Sequence, residues 1–264
     1  LFRSHGTTLG ALSATAQANR RFKYDPVVPG FLHAPPPYRY RCPYGENGPD
    51  CDRVAAEMIE QMIIWEGPET VAGVIMEPFI SGGGVIIPSR EYLTRVSEIC
   101  QQYDVLLIID EVVSGFGRTG EMFGFMHSEG VRPDIVTMAK GLTSGYQPLG
   151  ATAVRKDIYD QFKDRGKTTH FRHVSTYGGH PAGCAAALKN IEIIEKENIV
   201  DAVKQRSERI LTELHDVESH EKVGEVRGIG FLYGIELVED KATKTPVSDN
   251  FIRDRKSTRL NSSH

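Results

Sequence analysis

The sequence predicts an α/β fold on a mostly parallel sheet, from three observations. Continuous apolar runs at 71–76, 105–109 and 134–138 read as buried strands, because strands covered on both faces need not alternate. Amphipathic helical spacing at 90–103 separates the first two. Each run also stops at a polar group: Glu77, Asp110, or Ala139 followed by Lys140. Apolar strands alternating with helices build a parallel sheet, and open α/β sheets place their ligands at the carboxyl ends of the strands.

The elements follow in order. Residues 1–24 open on a Gly/Thr turn and continue into a small-residue run at 9–18 that predicts a helix. Residues 25–53 are rich in Pro, Gly and Tyr and read as a long loop, where Pro35, Pro36 and Pro37 forbid a helix. Residues 54–65 have helical spacing, with Met58, Met62 and Ile63 on one face. A turn at Gly82, Gly83 and Gly84 follows the first strand, and 150–154 reads as a fourth strand. Residues 179–216 read as mostly helical with a break near Asn198. Apolar alternation at 223–239, around Gly228, Gly230 and Gly234, predicts strands of a smaller domain. The expected division is a large domain over 1–195 and part of a small α+β domain over 196–252. Residues 253–264 have no apolar periodicity and read as a non-native or disordered tail.

The chain has 264 residues, 40% hydrophobic and 25% charged, which suffices for a core. Net charge is −4 without a basic stripe, so nucleic acid is not an expected partner. No apolar run reaches the roughly 18–20 residues of a membrane span. The chain opens on Leu1 without a charged-then-apolar leader, so a cytoplasmic location is expected. Cys42, Cys51, Cys100 and Cys184 are irregularly spaced and are expected to be reduced thiols. Cys42 and Cys51 lack the further ligands that zinc requires.

Asp110 and Lys140 carry the chemical argument. A lysine can hold an aldehyde cofactor as a Schiff base and then serve as general acid/base. Pyridoxal phosphate is an electron sink only while its ring nitrogen is protonated, and a buried carboxylate beside that nitrogen favours the charged form. Alone, Asp110-Glu111 is a strand-end turn and Lys140 a solvated lysine.

The flanks extend the pattern. Residues 108–120 (IIDEVVSGFGRTG), followed by 133–141 (PDIVTMAKG), resemble the signature of class III (ω-type) aminotransferases. The segments at 5–8 (HGTT), 76–78 (MEP, before three glycines), 176–181 (TYGGHP) and 227–231 (RGIGF) are similar to others of that family. The resemblance covers about residues 1–250. It implies a fold-type-I large domain in which Lys140 binds pyridoxal 5'-phosphate covalently and Asp110 pairs with the pyridine nitrogen. Val112 would pack on one ring face, with His5 and Gly6 beside the ring and Glu77 on the substrate side. Thr176 would reach the phosphate in a neighbouring subunit, so a homodimer is implied. The implied reaction moves an amino group from an ω-amino acid or amine to a keto acid, pyruvate above others.

The sequence departs from that pattern at several points. Ser4 stands where the family has an aromatic that stacks on the ring. Val113 stands where some branches carry Gln, and an apolar residue there resembles the pyruvate-using ω-amine branch. The phosphate-binding Gly/Ser turn and the carboxylate-gripping arginine are expected upstream of Leu1 and downstream of Ile252. The chain therefore reads as truncated at both ends, and as weakly active or inactive alone.

Rival readings start from other motifs. Gly115-x-Gly117-x-x-Gly120 matches a dinucleotide fingerprint but follows its strand too late and opens no helix. Gly82 to Gly84 lack the Lys-Ser/Thr of a phosphate loop. His170 and His173 lack a third ligand, so no metal is expected. An aminomutase on the same scaffold would not need a keto acid as second substrate. A pseudoenzyme would bind no cofactor through Lys140.

Overall fold

Three of the apolar runs form the parallel part of the first sheet. In the computed structural model, which describes residues 5–46, 48–163 and 169–248, these strands are β1 (Gly73–Met76), β2 (Leu106–Asp110) and β3 (Ile135–Met138). They pair in that order, β1 parallel to β2 and β2 parallel to β3. The fourth, β4 (Ala151–Val154), runs antiparallel to β3, so the sheet is mostly parallel, as expected. The reason for the reversal is the connection. Between Met138 and Ala151 the chain makes a short 3-10 turn at Lys140–Leu142, and the Thr143 hydroxyl donates to the Gln147 carbonyl at 2.6 Å. Without a crossover helix the chain re-enters the sheet at the end it left, so the next strand runs back.

Seven α-helices occur among the described residues, and the last leads into a second sheet. The first two are short, α1 (Leu9–Ala14) and α2 (Ala18–Arg21), where one helix over 9–18 was expected. α3 (Pro49–Glu66) starts five residues earlier than the spacing implied, with Pro in its first turn and Asp50 and Asp52 favouring that terminus. α4 (Arg90–Gln102) matches its expected span within one residue. α3 and α4 cover one face of the sheet. Ala55, Ala56, Ile59 and Ile63 meet Leu93, Val96 and Ile99 against Met76, Leu107 and Ile109. Each buried Leu, Ile, Val or Met among them contributes about 1.5–3 kcal/mol. The stripe that α3 buries is therefore 55, 56, 59 and 63. Met58 and Met62 only line a shallow groove with Leu32, Pro35 and Trp65.

One expectation is overturned. Cys42 and Cys51 form a disulfide, with Cα atoms 5.9 Å apart, while Cys100 and Cys184 are free. Compartment and spacing suggested reduced thiols. The geometry differs because the first turn of α3 folds back against the loop at Cys42. Arg39 reinforces this closure through an ion pair with the buried Asp52.

After α5 (Lys156–Asp160) come α6 (Pro181–Lys196) and α7 (Ile199–His215), broken at Asn198 in the left-handed conformation. The second sheet is antiparallel: β5 (Val223–Ile229), β6 (Leu232–Asp240) and β7 (Thr245–Pro246). Arg227 docks it onto the rest. Its guanidinium donates to the Gly84 and Val85 carbonyls, to Glu225 and to Glu236, and lies over the Tyr38 ring. Tyr38 and Arg41 bind the same Glu236 carboxylate. Gly230, at φ +56°, turns β5 into β6 where a Cβ would lie 2.4 Å from the Thr119 backbone. That approach lets the Phe231 N–H reach the Arg118 carbonyl at 2.8 Å. Ser4 and residues 253–264 lie outside the described residues.

Candidate active site

Parallel pairing places three of the expected site residues at one edge. Asp110 ends β2 and stands in register with Thr137 of β3, three residues before Lys140. Glu77 directly follows the end of β1. The three expected strand-end residues therefore share the carboxyl edge of three adjacent strands.

Asp110 is buried and held by two donors. One oxygen accepts the Val112 N–H at 2.9 Å. The other lies 2.8 Å from Nδ1 of His5, whose side chain is only 3% exposed. A carboxylate oxygen accepts, so Nδ1 is the donor when it carries the proton in this contact. His5 and Asp110 are 105 residues apart in sequence. Gly6 follows His5 at φ +137°, where a Cβ would approach the Ala11 side chain at 3.0 Å.

Lys140 begins the turn after β3, at φ +41°, with an exposed side chain. Among the described residues its amine makes no hydrogen bond or ion pair. The following turn is anchored by Asn190 of α6, whose amide donates to the Gly141 and Leu142 carbonyls at 2.8 and 3.1 Å.

Glu111, one residue beyond Asp110, behaves differently. It is fully buried and accepts the Ser114 hydroxyl and the Gly124 and Phe125 N–H groups at 2.6–2.9 Å. Burial pushes its carboxyl up, opposed by those three hydrogen bonds. Glu111 thus secures the glycine-rich loop, which is a series of turns ending in a short 3-10 turn at Gly124–His127. The dinucleotide match therefore lacks the helix its chemistry needs.

Glu77 is buried and accepts the Ser81 hydroxyl at 2.7 Å. Thr176 lies in an exposed turn and makes no side-chain hydrogen bond among the described residues. His170 and His173 lie in the same exposed coil rather than on a helix, and no cluster of three metal-ligating side chains occurs among the described residues. Sequence reasoning missed Ser81, whose hydroxyl binds Glu77 four residues back, and Thr15, whose hydroxyl meets the Ala11 carbonyl and the His5 N–H. The only signals near them were the Gly turn at 82–84 and the small-residue run at 9–18.

Comparison with known proteins identifies the family. The family model for aminotransferase class-III matches residues 3–258. The chain is 53% identical to an uncharacterized aminotransferase of Bacillus subtilis, over 92% of this chain and 53% of that protein. It is 44% identical to the taurine–pyruvate aminotransferase of Bilophila wadsworthia, over 93% and 54%. A Bacillus anthracis aminotransferase crystal structure superposes with a TM-score of 0.89 at 48% identity, covering 94% of this chain and 55% of that one. An (S)-enantioselective omega-transaminase from Thermomicrobium roseum also reaches 0.89, at 40% identity, with the same coverage. The chain thus spans about half the length of the curated relatives it matches. With its strand-edge carboxylate and lysine, and this match over nearly its whole length, the chain belongs to the class III aminotransferase family.

Proposed function

We propose that this chain is the cofactor-binding part of an aminotransferase that moves an amino group from an ω-amino acid or amine to a keto acid, with pyruvate as acceptor. The observation that carries the reading is the pairing of two groups at one edge. Asp110 is buried and oriented by two donors, while the Lys140 amine is committed to no partner among the described residues. The naming of relatives as taurine–pyruvate and putrescine–pyruvate aminotransferases supports the donor and acceptor classes.

These residues fit pyridoxal phosphate, the cofactor of the family. A buried carboxylate suits a protonated ring nitrogen, and an uncommitted amine suits an aldehyde. When bound, the cofactor supplies an electron sink for the electrons of a broken C–H bond. Asp110 would hold the proton on the ring nitrogen, and Val112 would pack on the ring. Lys140 would anchor the cofactor and, once displaced by the substrate amine, its Nζ would carry the proton from the amine-bearing carbon to the C4′ carbon of the cofactor. His5 and Gly6 would flank the ring, and Glu77 would border the substrate.

The exposed turn at Thr176 supports a homodimer in which Thr176 reaches the partner's cofactor phosphate. The two separate sheets and the break at Asn198 support a large domain over 1–195 and a partial small domain over 196–252. No helix among the described residues is long and apolar enough to cross a membrane. The cytoplasm is the proposed location on the sequence reading alone.

The test is an amino-donor panel with pyruvate on the full-length parent, run beside Lys140→Ala. Transamination that requires the keto acid and disappears with Lys140 is expected. Turnover without a keto acid would indicate an aminomutase. Unchanged cofactor absorbance in Lys140→Ala would overturn the reading.

A further inference from the structure

We infer that Thr15 is a positioning residue for the candidate site, acting through His5 on Asp110; the inference rests on the reading of Asp110 given above. Thr15 is fully buried at the C-terminal end of α1. Its hydroxyl accepts the His5 N–H at 3.1 Å and donates to the Ala11 carbonyl at 2.9 Å. Its own N–H donates to the Leu12 carbonyl at 3.1 Å, so the residue that carries the hydroxyl is fixed to the helix. One hydroxyl therefore ties the His5 backbone to α1, ten residues away.

The consequence lies at the ring. His5 is followed by Gly6, at φ +137°, whose permissive backbone alone does not define where the imidazole sits. The Thr15 bond fixes the His5 backbone, and Gly6 packs on Ala11 of the same helix. Together they hold Nδ1 at 2.8 Å from Asp110. The opposite carboxylate oxygen is fixed by Val112, so the plane of the carboxylate follows from both contacts. A group that must meet a ring nitrogen needs such support, because a shift of about 1 Å weakens an oriented interaction severely.

The experiment compares Thr15→Val, which keeps the shape and removes the hydroxyl, with Thr15→Ser, which keeps the hydroxyl. The first readout is the His5 tautomer in the cofactor-free chain, from long-range nitrogen–proton NMR, with His5→Gln to assign the signal. The second is equilibrium binding of pyridoxal phosphate. Thr15→Val is expected to mix the His5 tautomers and weaken cofactor binding about tenfold, the size of one lost hydrogen bond. Thr15→Ser is expected to retain both properties. Should Thr15→Val lose its cooperative melt, Thr15→Ala measured against Thr15→Ser gives the same contrast. A single unchanged His5 tautomer in the hydroxyl-less variant overturns the inference. Asp110→Asn separates the two levels. If it weakens cofactor binding while loss of the Thr15 hydroxyl does not, the positioning role is wrong. If neither changes binding, the reading of Asp110 itself fails.

Discussion

Two polar clusters lie on this molecule, and they are built in opposite ways. Around Arg227, every strong group meets another. The guanidinium reaches two carbonyls and two carboxylates, and Glu236 also accepts Tyr38 and Arg41. At the carboxyl edge of β2 and β3, Asp110 is oriented by two contacts, while the Lys140 amine meets no partner among the described residues. Saturated polar groups hold one surface against another. An oriented carboxylate and an amine without a described partner, at the ends of adjacent strands, leave capacity for a ligand. The contrast separates docking from chemistry within one chain.

The comparison breaks first at Lys140. Lys140→Ala in the full-length parent should lower transamination by about 10³-fold or more, because both the anchor and the proton carrier are lost. Turnover assays with a saturating amino donor measure this, and melting should change little. Asp110→Asn should lower turnover by about 10²-fold, the usual cost of removing one preorganised electrostatic group. Steady-state kinetics with added cofactor would show it.

The Arg227 cluster should respond in stability instead. Arg227→Ala should cost about 2–4 kcal/mol by denaturant unfolding, since it leaves Glu236 half-buried and short of a partner. Cofactor absorbance should not move. The same cluster gives a pH dependence. Burial of Glu236 would raise its carboxyl, but the hydrogen bonds from Tyr38, Arg41 and Arg227 outweigh it and hold it below the ordinary 4.5. A depressed carboxylate contributes its stability above the unfolded value. That contribution is lost as pH falls from about 4.5 through the lower folded value. Unfolding curves between neutral and acid pH should show this loss in the parent, and less of it in Arg227→Ala.

The smallest effect belongs to the disulfide. Reduction of Cys42–Cys51, which closes a nine-residue separation, should cost about 2–3 kcal/mol. Melting with and without a dithiol reads it, and the Lys140 chemistry should be unaffected.

Much of the site was legible because it is written in strand ends. Apolar runs that stop at Asp110 and Lys140 place both at the carboxyl edge of a parallel sheet, and parallel pairing realises that. Three other features were not legible, each for a physical reason. The antiparallel β4 depends on a twelve-residue connection that has no helical period to announce a turn back. The disulfide depends on α3 starting at Pro49 rather than 54, which brings Cys51 to Cys42. The contact of His5 with Asp110 spans 105 residues, and nothing local to either residue encodes it.

The most direct measurement of the central claim is borohydride reduction of the chain with pyridoxal phosphate, followed by peptide mapping of the covalent label. The account predicts one dominant label, on Lys140, that weakens in Asp110→Asn. Label spread evenly over the exposed lysines, with Lys140 no more reactive than the rest, would contradict it.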